Sequence, residues 1–95
     1  MSPKNKKKLN LLRKKLDSID NQLLILIKKR FEIVKQVLKL KEYKKEIIDK
    51  KRISIILNKI KKASIKKKID PKITRRVWLN IIWACIDYEK RNFKK

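Results

Sequence analysis

The side chains most able to do chemistry here are charged groups set among apolar ones. Arg30 occupies one position of a seam with spacings of three and four. The other members (Leu9, Leu12, Leu16, Ile19, Leu23, Leu26, Ile33, Val37 and Leu40) are all apolar. Lys41 follows Arg30 by eleven residues. At 100° per residue that is about 20° away, the same helix face three turns along. Arg13 precedes Arg30 by seventeen residues, about 25 Å along a helix. The two cannot share a small ligand within one chain. In an antiparallel pair of chains, the Arg13 end of one helix could reach the Arg30–Lys41 region of the other. Asp49 and Arg52 fall at the start of a second helix, and Cys85 and Glu89 stand one turn apart on a third. Guanidinium and ammonium groups placed this way bind anions. Each residue also has a plainer reading. Arg30 could snorkel out of the seam or pair with a buried carboxylate. Asp49 with Arg52 could be an N-cap and a local ion pair. Cys85 could be a small core residue, and Glu89 a solvated carboxylate near a fraying end.

The rest of the composition narrows the chemistry. With no Gly, the chain has neither a P-loop nor a dinucleotide-binding fingerprint, because both need backbone that closely approaches phosphate. With no His, it has no Ser-His or Cys-His nucleophile pair and no His-ligated metal. A single Cys excludes an internal disulfide and any CxxC site. The net charge of +22 fits an anionic partner or merely a lysine-coated surface. The apolar fraction of 42% is that of a folded protein, not of a disordered basic tail. Neither a signal peptide nor a membrane span is visible, so a cytoplasmic protein is expected.

The elements that must position these residues are helical. The apolar seam predicts a first helix over about residues 5–44. A second stripe, Leu24, Ile27, Phe31, Val34 and Leu38, predicts burial on two sides. Such a helix is about 60 Å long, whereas a compact chain of this length is only about 30 Å across. A second chain is therefore expected to cover part of it. Asp49 predicts the N-cap of a second helix over about residues 50–64, with Ile53, Ile56, Leu57 and Ile60 as its apolar face. Asp70-Pro71 predicts the start of a third helix, about residues 71–92, burying Ile73, Val77, Ile81, Ile82, Cys85 and Ile86. The expectation is an all-α protein of three helices, one very long, forming a single domain over residues 1–95.

Taken together, these positions resemble the all-helical (AroQ-type) chorismate mutases. The stretch LNLLRKKLDSIDNQLLILIKKRFEIVKQVLKLK from Leu9 to Lys41 looks like that family's first helix. IIDKKR, from Ile47 to Arg52, resembles its Asp-x-x-Arg at the start of helix two. Asp70-Pro71 and the run from Ile81 to Glu89 resemble its third helix. The resemblance implies an intertwined homodimer of the chorismate mutase II type, with two active sites built from both chains. It implies an isomerase that rearranges chorismate to prephenate, in the shikimate pathway to phenylalanine and tyrosine. That reaction is a unimolecular pericyclic shift and needs no nucleophile, metal or cofactor. It needs a pocket that holds a dicarboxylate in its reactive conformer, and positive charge or donors at the breaking ether oxygen.

By the same resemblance, Arg30 and Arg13 of the second chain bind the two carboxylates, and Lys41 meets the ether oxygen and a carboxylate. Arg52 supports the charge network, and Asp49 helps hold the substrate hydroxyl. Val37, Ile56, Ile82 and Ile86 form the apolar wall. Three positions depart from the family pattern. Ile53 stands where Glu is usual, at a hydroxyl contact. Cys85 replaces a common Ser. Glu89 replaces the Gln that donates to the ether oxygen, and a Glu donates there only when protonated. A purely structural coiled-coil dimer would explain the heptad spacing but not Arg30 within the seam. Two other functions compete. An isochorismate-pyruvate lyase on the same scaffold would take a closely similar anion. A basic helical nucleic-acid-binding protein would use the net charge directly. Against the latter, the lysines are spread over every helix and no aromatic residues interleave with them, so no specific nucleic-acid or membrane partner is expected.

Overall fold

The computed structural model describes residues 1–94. Its regular structure is helical throughout: α1 (Pro3–Leu40), a single 3-10 turn (Lys44–Glu46), α2 (Lys50–Lys66) and α3 (Pro71–Asn92). The all-α expectation of three helices, the first of them far the longest, is met.

Each helix starts where the local chemistry requires. At α1, Ser2 Oγ accepts the amide of Asn5 at 3.2 Å, and Pro3 takes the first helical position, where its missing N–H does no harm. At α2, Asp49 Oδ1 accepts the amide of Arg52 at 3.0 Å, the N-cap arrangement. At α3, Asp70 Oδ1 accepts the amide of Lys72 at 2.9 Å, with Pro71 opening the helix.

Two helix ends differ from the sequence expectation. α1 stops at Leu40, not near residue 44, and α2 runs on to Lys66, not to 64. The early stop of α1 has a side-chain cause. Lys41 N donates to Leu38 O at 3.2 Å, tightening the last turn. The next amide, Glu42 N, is taken out of the helical ladder by the Glu46 carboxylate at 2.7 Å.

The chain divides into two compact units, Met1–Ile33 and the residues from Val34 onward. In the first unit the apolar residues of both stripes are mostly exposed: Leu12, Leu16, Ile19 and Leu23 on the seam, and Leu24 and Ile27 beside it. No residue of α1 is buried in the single chain.

In the second unit α2 and α3 pack against each other. Its core is formed by Ile47, Ile82 and Ile86, with Ile48, Ile53, Ile56, Leu57 and Phe93 packed around them. Burying each of the three contributes roughly 1.5–3 kcal/mol. Ile47 lies in the connection between α1 and α2, and at 3% exposure it is the most enclosed of the three. Ile48 and Ile53 stand just before the Asp49 cap and one turn after it. This is the apolar pair that fixes how a chain enters a helix.

The inward stripe of α3 differs from the expected one. Ile82, Ile86 and Glu89 are buried, and Ile81 and Cys85 are half-buried. Ile73 and Val77 are exposed at 60% and 45%. At this level α3 meets α2 through Thr74 instead. Ser64 Oγ and Thr74 Oγ1 are 2.7 Å apart, and Ser64 Oγ also donates to Ile60 O at 2.6 Å. That contact rotates Ile73 and Val77 away from α2.

The α2–α3 turn is a Schellman-type cap built without glycine. The amide of Ile69 donates to Ser64 O at 2.9 Å and that of Lys68 to Ile65 O at 3.1 Å. Lys68 carries the left-handed conformation, φ 60°, that glycine usually supplies.

Candidate active site

Lys41 is the first residue beyond α1, and Glu89 lies on the buried stripe of α3. The fold brings them into direct contact: Lys41 Nζ donates to Glu89 Oε1 at 3.0 Å. Their side chains are only 18% and 6% exposed. The solvated reading of Glu89 is therefore overturned. The carboxylate is enclosed because it sits one turn beyond Ile86, on the face that carries the core. A buried carboxylate needs a partner to offset its lost hydration, and Lys41 is that partner. Among the described residues, no buried side-chain nitrogen or oxygen lacks a hydrogen-bond partner.

Lys41 also borders an open hollow of about 610 Å³, whose other lining residues are Glu46, Ile48, Asp49 and Lys50. Lys41 and Asp49 thus border one space. Asp49 gives Oδ1 to the Arg52 amide, so the N-cap reading of the Asp49–Arg52 pair holds in its first half. The Arg52 side chain is exposed on the first turn of α2. Ile82 and Ile86 are core residues, Ile53 and Ile56 pack half-buried against them, and Val37 is 43% exposed. Cys85 is half-buried. Arg13 and Arg30 belong to the first unit, on α1, where Arg13 is exposed and Arg30 partly covered.

One residue of the hollow was not picked out from the sequence. Glu46 Oε2 accepts two backbone amides, from Glu42 at 2.7 Å and from Tyr43 at 2.9 Å. The Tyr43 amide, then that of Glu42, hold the Glu46 carboxyl below its ordinary value, and the charges of Lys41 and Lys45 act in the same direction. The Lys45 ammonium lies 5.6 Å from the centre of the Tyr43 ring. A Glu three residues after a helix-start position is the signal that could have revealed this cap. It is obscured because Tyr43, at the capping position, makes no side-chain cap bond of its own and is not one of the usual short polar capping residues.

The arrangement is a half-enclosed cation with a carboxylate beside it, next to a hollow of mixed charge. An ammonium with solvent access can bind an anion, whereas the Glu46 and Asp49 carboxylates that also line the hollow oppose one. The family model for chorismate mutase type II matches residues 12–90, most of the chain. The chain belongs to the chorismate mutase type II family, and chorismate mutase-type activity follows at that level. No match was found among curated proteins or among solved structures. None of the helices among the described residues is long and apolar enough to cross a membrane.

Proposed function

We propose that this protein is a chorismate mutase that converts chorismate to prephenate, working in the cytoplasm on the route to phenylalanine and tyrosine. The observation that carries the reading is the Lys41–Glu89 contact. The two residues that the family resemblance assigns to the ether oxygen meet at one point, although they lie 48 residues apart in sequence.

The reaction breaks one C–O bond and forms one C–C bond within a single molecule, with no net proton transfer. The protein's task is positioning and charge. Arg30 and Arg13 of a second copy would grip the two carboxylates through paired guanidinium bonds. Lys41 would stabilise the charge growing on the ether oxygen. Glu89, when protonated, would donate to the same oxygen. Asp49 and Arg52 would border the ring end of the substrate, and Cys85 would supply a weak donor on α3. Val37, Ile53, Ile56, Ile82 and Ile86 would exclude water. No cofactor or metal enters this scheme.

The reading includes an intertwined homodimer in which the whole chain acts as one domain. Two observations support it. The first unit exposes a continuous apolar surface, including Leu16, Leu23 and Leu26, which a stable soluble chain would cover. Arg13 and Arg30 are also seventeen residues apart on one unbroken helix, about 25 Å, so one small dianion cannot bridge them within a chain.

The test is to supply chorismate and isochorismate separately and identify the products. Prephenate from chorismate supports the mutase. Pyruvate and salicylate from isochorismate, without prephenate, would make the protein a lyase on the same scaffold.

A further inference from the structure

The connection after α1 decides where Lys41 points, and a carboxylate holds its first amides. If α1 continued, the Glu42 amide would donate back to Leu38 O. Lys41 N occupies that carbonyl instead, at 3.2 Å. Glu46 Oε2 then collects the Glu42 and Tyr43 amides at 2.7 and 2.9 Å. The turn is closed behind it by Glu46 N to Tyr43 O at 3.0 Å and Ile47 N to Lys44 O at 3.1 Å. Ile47, the next residue, is anchored in the core. The segment from Lys41 to Asp49 is thus pinned twice, by the Glu46 carboxylate at one end and by Ile47 at the other. Glu46 also lines the hollow beside Lys41 and Asp49.

We infer that Glu46 is a positioning residue for Lys41: its carboxylate ends α1 at Leu40 and so sets the ammonium that faces Glu89 and the substrate. This rests on the mutase reading and adds to it a residue that makes no contact with the reacting atoms. What matters in this role is the reach of the acceptor to two amides. Glutamine keeps that reach without the charge. Aspartate keeps the charge but falls one methylene short. Alanine has neither.

The test compares Glu46→Gln, Glu46→Asp and Glu46→Ala with the parent for kcat and KM on chorismate. Hydrogen exchange at the Glu42 and Tyr43 amides is measured on the same samples. Glu46→Ala and Glu46→Asp are expected to lose about tenfold, mainly in kcat, because Lys41 is misplaced in the transition state. Glu46→Gln is expected to stay within about threefold of the parent. The two amides are expected to exchange faster in the alanine and aspartate variants only. Retained activity in Glu46→Asp with loss in Glu46→Gln would mean that charge matters, not reach, and would overturn the inference. So would an alanine variant equal to the parent. A parent without turnover overturns the mutase reading itself. A parent active alongside unaffected variants overturns only the role of Glu46.

Discussion

Lys41 Nζ and Glu89 Oε1 stand 3.0 Å apart, joining the residue that follows α1 to the buried stripe of α3. In the single chain each offsets the other's lost hydration. With substrate bound, both would turn to one ether oxygen. In the proposed mutase the same pair is thus a structural bond and a catalytic element, and the two roles separate by mutation.

Lys41→Met leaves the Glu89 carboxylate enclosed without its counter-charge. Removing one partner of a fully buried pair costs about 3–5 kcal/mol. Lys41 keeps some solvent access, so a loss of about 2–3 kcal/mol is expected here. Glu89→Gln leaves an amide oxygen that still accepts from Lys41, and about 1 kcal/mol or less is expected. Urea denaturation at matched protein concentration checks both values. Equal losses would mean that the pair does not carry the burial of Glu89.

Glu89→Gln keeps an acceptor for Lys41 and adds a permanent donor for the ether oxygen, so its kcat on chorismate is expected to match or exceed that of the parent. The pH dependence follows from Glu46. Its carboxyl is held low by the Tyr43 and Glu42 amides, so its cap is complete above the ordinary carboxylate range and is lost only as pH falls through that lowered value. Initial rates are expected to fall only below the ordinary carboxylate range, and a rate unchanged there contradicts the role given to Glu46.

Lys68 holds a left-handed conformation that costs a non-glycine residue about 1–2 kcal/mol. Lys68→Gly removes that cost and gives back part of it as unfolded-chain entropy. A net gain of about 0.5–1 kcal/mol is expected, with kcat/KM unchanged. Thermal or urea unfolding of the variant provides the check. A destabilised variant would show that the lysine side chain does more at this turn than occupy it.

The helices and their starts were readable because their causes are local. Asp49, Asp70 and Pro71 act within one turn of themselves, and the three-four spacing of Leu and Ile needs only the helical period. Glu89 is legible only in half: its place one turn beyond Ile86 is local, but its partner is a lysine 48 residues away, and no local pattern encodes that pairing. The end of α1 near Leu40 was missed for a related reason. The cap there comes from a glutamate four residues downstream of the amide it removes, behind a tyrosine that does not look like a helix cap. The inward placement of Ile73 and Val77 failed because the Ser64–Thr74 hydroxyl contact, not apolar spacing, sets the rotation of α3 at that level. The roles of Arg13 and Arg30 are what the family resemblance implies, and they require a second chain.

That requirement gives the most direct test. Arg13→Ala and Arg30→Ala are purified separately, mixed, unfolded and refolded together, and assayed for prephenate formed from chorismate. In a two-fold symmetric dimer with shared sites, each variant alone lacks a complete site, whereas every mixed dimer keeps one of its two sites intact. The expected result is near-zero activity for each variant alone and about a quarter of parental activity for an equal mixture. A mixture no more active than its components, from chains shown to have exchanged, would contradict a mutase site built across two subunits.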